Sequence, residues 1–248
     1  MESRPSDTTT RRSRWFQLSN SAKAPWSAIT AVVVGVALTF IAQLYVFTLL
    51  QPFDEQIEQN QLLSVFRDQA LLVSSLIPVS AFLVIKKLPF LRSLLIGKIS
   101  LQHLRMLLKG AGLYFVLTAV GLSLLQLFVP AALEVEQDIG VSSGDPAAVL
   151  AVTFMSVVVL APLVEEILFR GFLFRGFEKT FGFGLAVIAS SLLFGLLHGS
   201  LAAAVDTFAL GAVCCLLVAR SGSLWPAILL HALKNAAVFY SRFIDPIV

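Results

Sequence analysis

Seven apolar stretches, at 26–50, 69–88, 107–130, 146–164, 184–199, 202–219 and 224–242, constrain this chain more than any other feature. A helix needs about 20 apolar residues to cross a hydrocarbon core about 30 Å thick. Backbone groups in lipid find partners only inside a helix or around a closed barrel. The stretches are continuous rather than alternating, which argues against a barrel. The expected fold is therefore all-α, a polytopic transmembrane helical bundle of about seven spans, within a range of about six to eight. The charge content agrees, since only 13% of residues are charged, against about 25% in a soluble domain.

The chain divides into a polar, basic tail at 1–25, expected to be disordered, N-terminal transmembrane helices over 26–145, and a second membrane domain over 146–248. Arg11, Arg12 and Arg14 ahead of the first apolar run resemble a twin-arginine or secretory signal. The run that follows is too long for a signal core and no small-residue cleavage site comes after it. The arginines read as topology determinants and the run as a retained anchor. Cys214 and Cys215 are adjacent and apolar in context, so they read as packing residues and imply no disulfide framework.

The loops alternate in sign. The tail carries Arg4, Arg11, Arg12, Arg14 and Lys23, and the 86–109 connection carries Lys86, Lys87, Arg92, Lys98, Arg105 and Lys109 with no acid. The intervening loop holds Asp54, Glu55, Glu58 and Asp68, and the 131–146 loop holds Glu134, Glu136, Asp138 and Asp145. Basic loops face the cytoplasm, which places the N-terminus inside, in the cell (inner) membrane. Leucines recurring among the bases of 86–109 fit a surface-lying amphipathic helix, and an ordinary basic loop fits equally well.

Ionisable groups inside apolar spans cost a few kcal/mol each, roughly 2.5–3.5 on insertion scales, and mark function by default. The second half of the chain holds several: Glu165, Glu166 and Arg170 in APLVEEILFRG, His198 in SLLFGLLHGS, and His231, Lys234 and Asn235 in AILLHALKNA. Glu166 and Arg170 are spaced to pair on one helix face. Glu165 is turned about 100° away and is left free to face a site. With a turn at Phe181–Gly182 and a helix unbroken to about Glu178, Glu165 and His198 both lie about 25 Å from the turn. His231 lies about 14 Å above the next turn, near Ser221–Ser223. The three then meet at one level in the cytoplasmic half of the membrane.

A carboxylate beside histidines can take a proton from water, and aimed donors stabilise an oxyanion. In this reading Glu165 is the base, His198 holds the water, and His231 and Asn235 are the oxyanion donors. A second reading has Glu165, His198 and His231 ligating Zn2+ at an open catalytic site. No H-E-x-x-H is present, so the zincin signature is absent. The residues alone leave both readings open.

Glu165-Glu166-x-x-x-Arg170, Phe194-x-x-x-His198 and His231-x-x-x-Asn235, in that order, resemble the three motifs of the CPBP family of CAAX proteases and bacteriocin-processing enzymes, also called the Abi family. SGSLWPAILLHALKN is similar to the family's last motif region. The resemblance covers about 146–242. It implies an intramembrane endopeptidase with Glu165 as base alongside His198. It also implies that His231 and Asn235 support the oxyanion or a metal, and that Glu166 and Arg170 are structural partners. The family is widely labelled metalloprotease.

Outside the motifs, Asp206 reads as a residue near the outer end of a short span and His103 as a surface histidine, while Lys234 either lines the cavity or, the preferred reading, snorkels. Gly195, Gly199 and Gly211 read as close helix contacts. The expected partners are membrane lipid and a peptide or membrane-protein substrate. Nothing points to nucleic acid or an organic cofactor. A non-catalytic immunity or regulatory protein of the same family is the alternative. A proton or ion transporter is disfavoured, because the polar groups cluster at one level and no repeat is evident.

Overall fold

The computed structural model describes residues 24–133 and 141–244. The tail expected to be disordered lies outside them except for residues 24 and 25, and so do Glu134, Glu136 and Asp138. Among the described residues every regular element is helical. The helices are α1 Ala28–Glu58, α2 Gln61–Ile85, the short α3 Phe90–Ser93, α4 Leu101–Phe128, α5 Ala147–Phe181, α6 Phe183–Leu196, α7 Leu201–Ser221 and α8 Trp225–Phe243. Five of them, α1, α2, α4, α5 and α7, are long and apolar enough to cross a membrane. The 14-residue α6 is apolar but shorter, and the 19-residue α8 carries His231, Lys234 and Asn235. The protein is an all-α, multi-pass integral membrane protein.

Local chemistry moves several boundaries. The second span begins at Gln61 because Asn60 caps it, its Oδ1 accepting from the N–H groups of Leu62 and Leu63 at 3.0 and 3.3 Å. The surface helix considered for 86–109 does not form as one element. Only Phe90–Ser93 is separately helical, and a Ser100–His103 capping box starts the 28-residue α4 at Leu101. Leu101, Leu104 and Leu108 therefore belong to a spanning helix. His103 does more than sit at the surface, since its Nδ1 accepts from the Ser100 N–H at 3.3 Å.

The helix α5 runs 35 residues without a break, about 52 Å at 1.5 Å per residue. It continues past Glu178, as the level placement of Glu165 and His198 requires, and turns at Gly182, where φ is +79°. Two π segments widen it, Met155–Leu160 and Ile167–Leu173, and a third lies in α1 at Val33–Leu38. A π turn takes carbonyls out of the regular ladder. Side chains fasten these carbonyls: Trp26 Nε1 donates to Phe172 O at 3.0 Å, Asn235 Nδ2 to Val157 O at 2.8 Å, and Ser190 Oγ to Phe169 O at 3.4 Å. The wide turns are thus held by tertiary contacts with segments outside α5.

The core sits where α5, α6, α7 and α8 meet. Phe174, Phe194, Leu210 and Leu230 are buried there, while Phe172 turns to the other side of α5, against Trp26 and Phe82. The outer faces of α1 and α4 present Phe40, Phe115 and Leu127 outward. In a membrane those faces meet acyl chains at no cost, so the apolar pattern of α1 and α4 is satisfied without a protein partner.

Candidate active site

Three residues of α5 begin the site. Glu166 and Arg170 pair at 2.9 Å with both side chains fully buried. The Arg170 guanidinium lies over the Phe194 ring of α6, 4.3 Å from its centroid. On α7, Gly211 makes room for it, since a Cβ there would come within 2.8 Å of Arg170 Nη2. Gly195 is a close helix contact as expected, its missing Cβ lying 2.7 Å from Ala204 O. Gly199 is different: nothing lies within 4 Å, and its φ of +78° serves a turn.

His231 of α8 completes the cluster. Its Nδ1 lies 3.0 Å from Glu166 Oε1 and its Nε2 lies 3.7 Å from Glu165 Oε2. A carboxylate ionised by an arginine can only accept, so Nδ1 donates and Nε2 is presented to Glu165. The two glutamates therefore face different partners. Glu166 faces the arginine, and Glu165 faces the opposite side of the imidazole.

His198 does not sit inside a helix. The helix α6 ends at Leu196, Gly199 turns the chain, and Ser200 caps α7 by accepting from the Ala203 N–H at 3.1 Å. The His198 Nδ1 contacts Phe194 O at 2.7 Å. A carbonyl only accepts, so this nitrogen donates and Nε2 is left as an acceptor. The Phe194 ring stands 4.7 Å from the His198 ring and 5.7 Å from the His231 ring. His198 and Glu165 line one cavity of about 490 Å³, whose other walls include Thr39 and Gln43 of α1 and Leu72 and Ser75 of α2.

Asn235 is also placed differently from its sequence reading. Its Nδ2 donates to Val157 O at 2.8 Å, in the first π segment of α5. The amide thus holds the helix that carries Glu165. Sequence reasoning missed this because a π turn leaves no signature in the apolar pattern. The zinc reading fits these positions poorly. Among the described residues no three His, Cys, Asp or Glu side chains group as a metal set, and His198 Nδ1 is turned to a carbonyl. No step is therefore derived through a metal. Cys214 and Cys215 are buried, free thiols.

A second, half-buried ion cluster escaped the sequence reading. Lys234 does not snorkel; its Nζ pairs with Asp206 Oδ2 at 3.1 Å. Asp206 Oδ1 also accepts from Tyr114 Oη at 2.5 Å and Thr118 Oγ1 at 3.2 Å. Asp206 lies near one end of its span, as expected, and is also a junction of α4, α7 and α8. The available signal was one acid and one base placed in separate apolar spans, which in lipid are expected to find each other.

Fold and cluster together define a class: a polytopic membrane protein with a buried carboxylate–imidazole centre beside a cavity. Residues 147–237 match the family described as Type II CAAX prenyl endopeptidase Rce1-like. A curated relative, named "Putative membrane peptidase YdiL" and from Bacillus subtilis (strain 168), is 32% identical over 106 residues. That match covers 40% of this chain and 43% of the relative, so it spans less than half the relative's length. No solved structure matches. Through this region the chain is similar to CAAX-protease-like membrane proteins.

Proposed function

We propose that this protein is an intramembrane endopeptidase in which Glu165 activates the attacking water. The observation carrying the proposal is the 3.7 Å approach of Glu165 Oε2 to His231 Nε2, with His198 on the wall of the same cavity as Glu165. Too long for a direct hydrogen bond, this spacing lets one water bond to both groups from the side. Two carboxylates and one guanidinium leave the cluster one positive charge short. A proton shared between Glu165 and His231 makes it neutral, which a low-dielectric site favours.

The reactive form has Glu165 ionised and His231 protonated, its Nδ1–H held by Glu166. His198 Nε2 accepts a hydrogen bond from the water and orients it. Glu165 takes one water proton as the oxygen bonds to the scissile carbonyl carbon, and the carbonyl electron pair moves onto its oxygen. His231 Nε2–H donates to that oxyanion. As the carbon–nitrogen bond breaks, the leaving amine takes the proton from Glu165. Asn235 positions α5 by its bond to Val157 O. The substrate is a peptide or membrane-protein segment entering the cavity, and the N-terminus is cytoplasmic in the cell membrane.

The test compares membrane proteomes of cells carrying the wild-type protein or Glu165→Gln. Precursors of defined membrane proteins or peptides accumulate only in the variant, which inserts and melts normally. Identical cleavage patterns in both strains remove Glu165 from any hydrolysis. A phenotype that survives the joint substitution of Glu165, His198 and His231 makes the protein a non-catalytic member of its family.

A further inference from the structure

The 86–100 connection crosses the end of the bundle where α2 and α7 finish and α4 and α8 begin. It is fixed to the second membrane domain at several points. Arg175 Nη1 of α5 donates to Ser93 O. The Leu224 N–H donates to Leu95 O at 3.1 Å, and Trp225 Nε1 donates to Gly97 O at 2.5 Å. Leu94 is fully buried against Gly171 of α5. The segment also holds Leu95 at a φ of +58°, a conformation disfavoured for a bulky side chain. The connection is a built surface and not a slack tether.

That surface forms one wall of an open, shallow cavity of about 540 Å³, whose lining includes Arg92, Lys98, His103, Ser221 and Ser223. Arg92 and Lys98 are exposed and neither takes part in an ion pair among the described residues. No acid occurs anywhere in 86–109. His103 Nδ1 is occupied by the Ser100 N–H, so Nε2 is the ring nitrogen left to face a ligand. Exposed apolar side chains flank the basic groups: Leu91 at 59%, Ile99 at 58% and Leu101 at 66%.

We infer that this cavity binds the headgroup of an anionic phospholipid, with the acyl chains lying along the leucine-rich first turns of α4. A free phosphate would use the same cations. The lipid is favoured because the cavity lies at the helix ends of a membrane bundle, and the side chains beside it offer acyl chains a surface that water does not reward. Arg92 supplies a planar fork for phosphate oxygens and Lys98 a compact charge. The Leu224 and Trp225 bonds connect this site directly to the start of α8, the helix bearing His231.

The experiment uses the full chain in detergent, equilibrated with equal phosphatidylglycerol and phosphatidylcholine, with retained lipid read by native mass spectrometry. Phosphatidylglycerol is retained in preference to phosphatidylcholine. The pair Arg92→Gln and Lys98→Gln weakens its retention roughly 25-fold, from about fivefold per charge at ~1 kcal/mol per basic residue. Arg105→Gln with Lys109→Gln, an equal change in net charge outside the cavity lining, changes it less than roughly threefold, because exposed charges away from the headgroup are screened. The charge-keeping pair Arg92→Lys and Lys98→Arg retains the lipid. Equal losses from the two glutamine pairs, equal retention of phosphatidylcholine, or displacement by millimolar inorganic phosphate would each overturn the lipid site.

Discussion

Two ion clusters lie inside this bundle, one buried and one half-buried, and they are built differently. In the first, Glu166 and Arg170 are fully enclosed, yet Glu166 Oε2, Arg170 Nε and Arg170 Nη2 have no hydrogen-bond partner among the described residues, and neither does Glu165 Oε2. In the second, Asp206 and Lys234 keep 16% and 17% exposure. There Asp206 takes two hydroxyl donors and one ammonium, and none of its polar atoms lacks a partner. The second cluster is complete by itself and ties three helices together. The first leaves buried polar atoms unpartnered, the more costly arrangement at the low dielectric of the core. The contrast supports the proposed reading of the first cluster as a site and of the second as a strut.

The sharpest way to break the contrast is at Glu165. Glu165→Gln is expected to lower cleavage about 10²–10⁴-fold, the range for a general base, with an unchanged melting temperature; a parallel loss of folding would make it a strut. Arg170→Met leaves Glu166 buried without its partner and should cost about 3–5 kcal/mol of stability, read by denaturant unfolding in micelles. Adding Glu166→Gln to that variant should recover part of the loss, and no recovery would mean that the guanidinium acts through its Phe194 contact alone. Gly211→Ala pushes a methyl against Arg170 and Ser191 and should cost about 1–3 kcal/mol while leaving the Asp206 cluster intact. Asp206→Asn should cost only about 0.6–1.7 kcal/mol, the range for polar contacts between membrane helices, and less than about tenfold in rate. A larger fall in rate than in stability would show that the second cluster also serves the chemistry.

The sequence made some of this legible and hid the rest for identifiable reasons. Spans were readable because apolar length is a property of consecutive residues, and so was the Glu166–Arg170 pair, because the two share one helix face. The long α5 followed from requiring Glu165 and His198 at one level. Hidden were the contacts between helices of unknown rotation: Lys234 with Asp206, Tyr114 with Asp206, and Asn235 with Val157 O. His198 was read as helical because SLLFGLLH is apolar throughout. The stop came from Gly199 and the Ser200 cap, a turn signal the hydropathy pattern overrode. The amphipathic spacing of 86–109 was real but belonged to the first turns of α4, where lipid and interface face the same leucines.

The sequence by itself determined that the chain crosses a membrane as helices, which residues pay for burial there, and which of them share a helix face. These are consequences of chain-local quantities, apolar length and the 3.6-residue period. Only the tertiary structure decided which buried charge meets which. That depends on how each helix is rotated about its own axis, and the π turns in α1 and α5 change that rotation. Helix rotation is set by packing among α5, α6, α7 and α8, a property of many distant residues at once and of no single stretch of sequence.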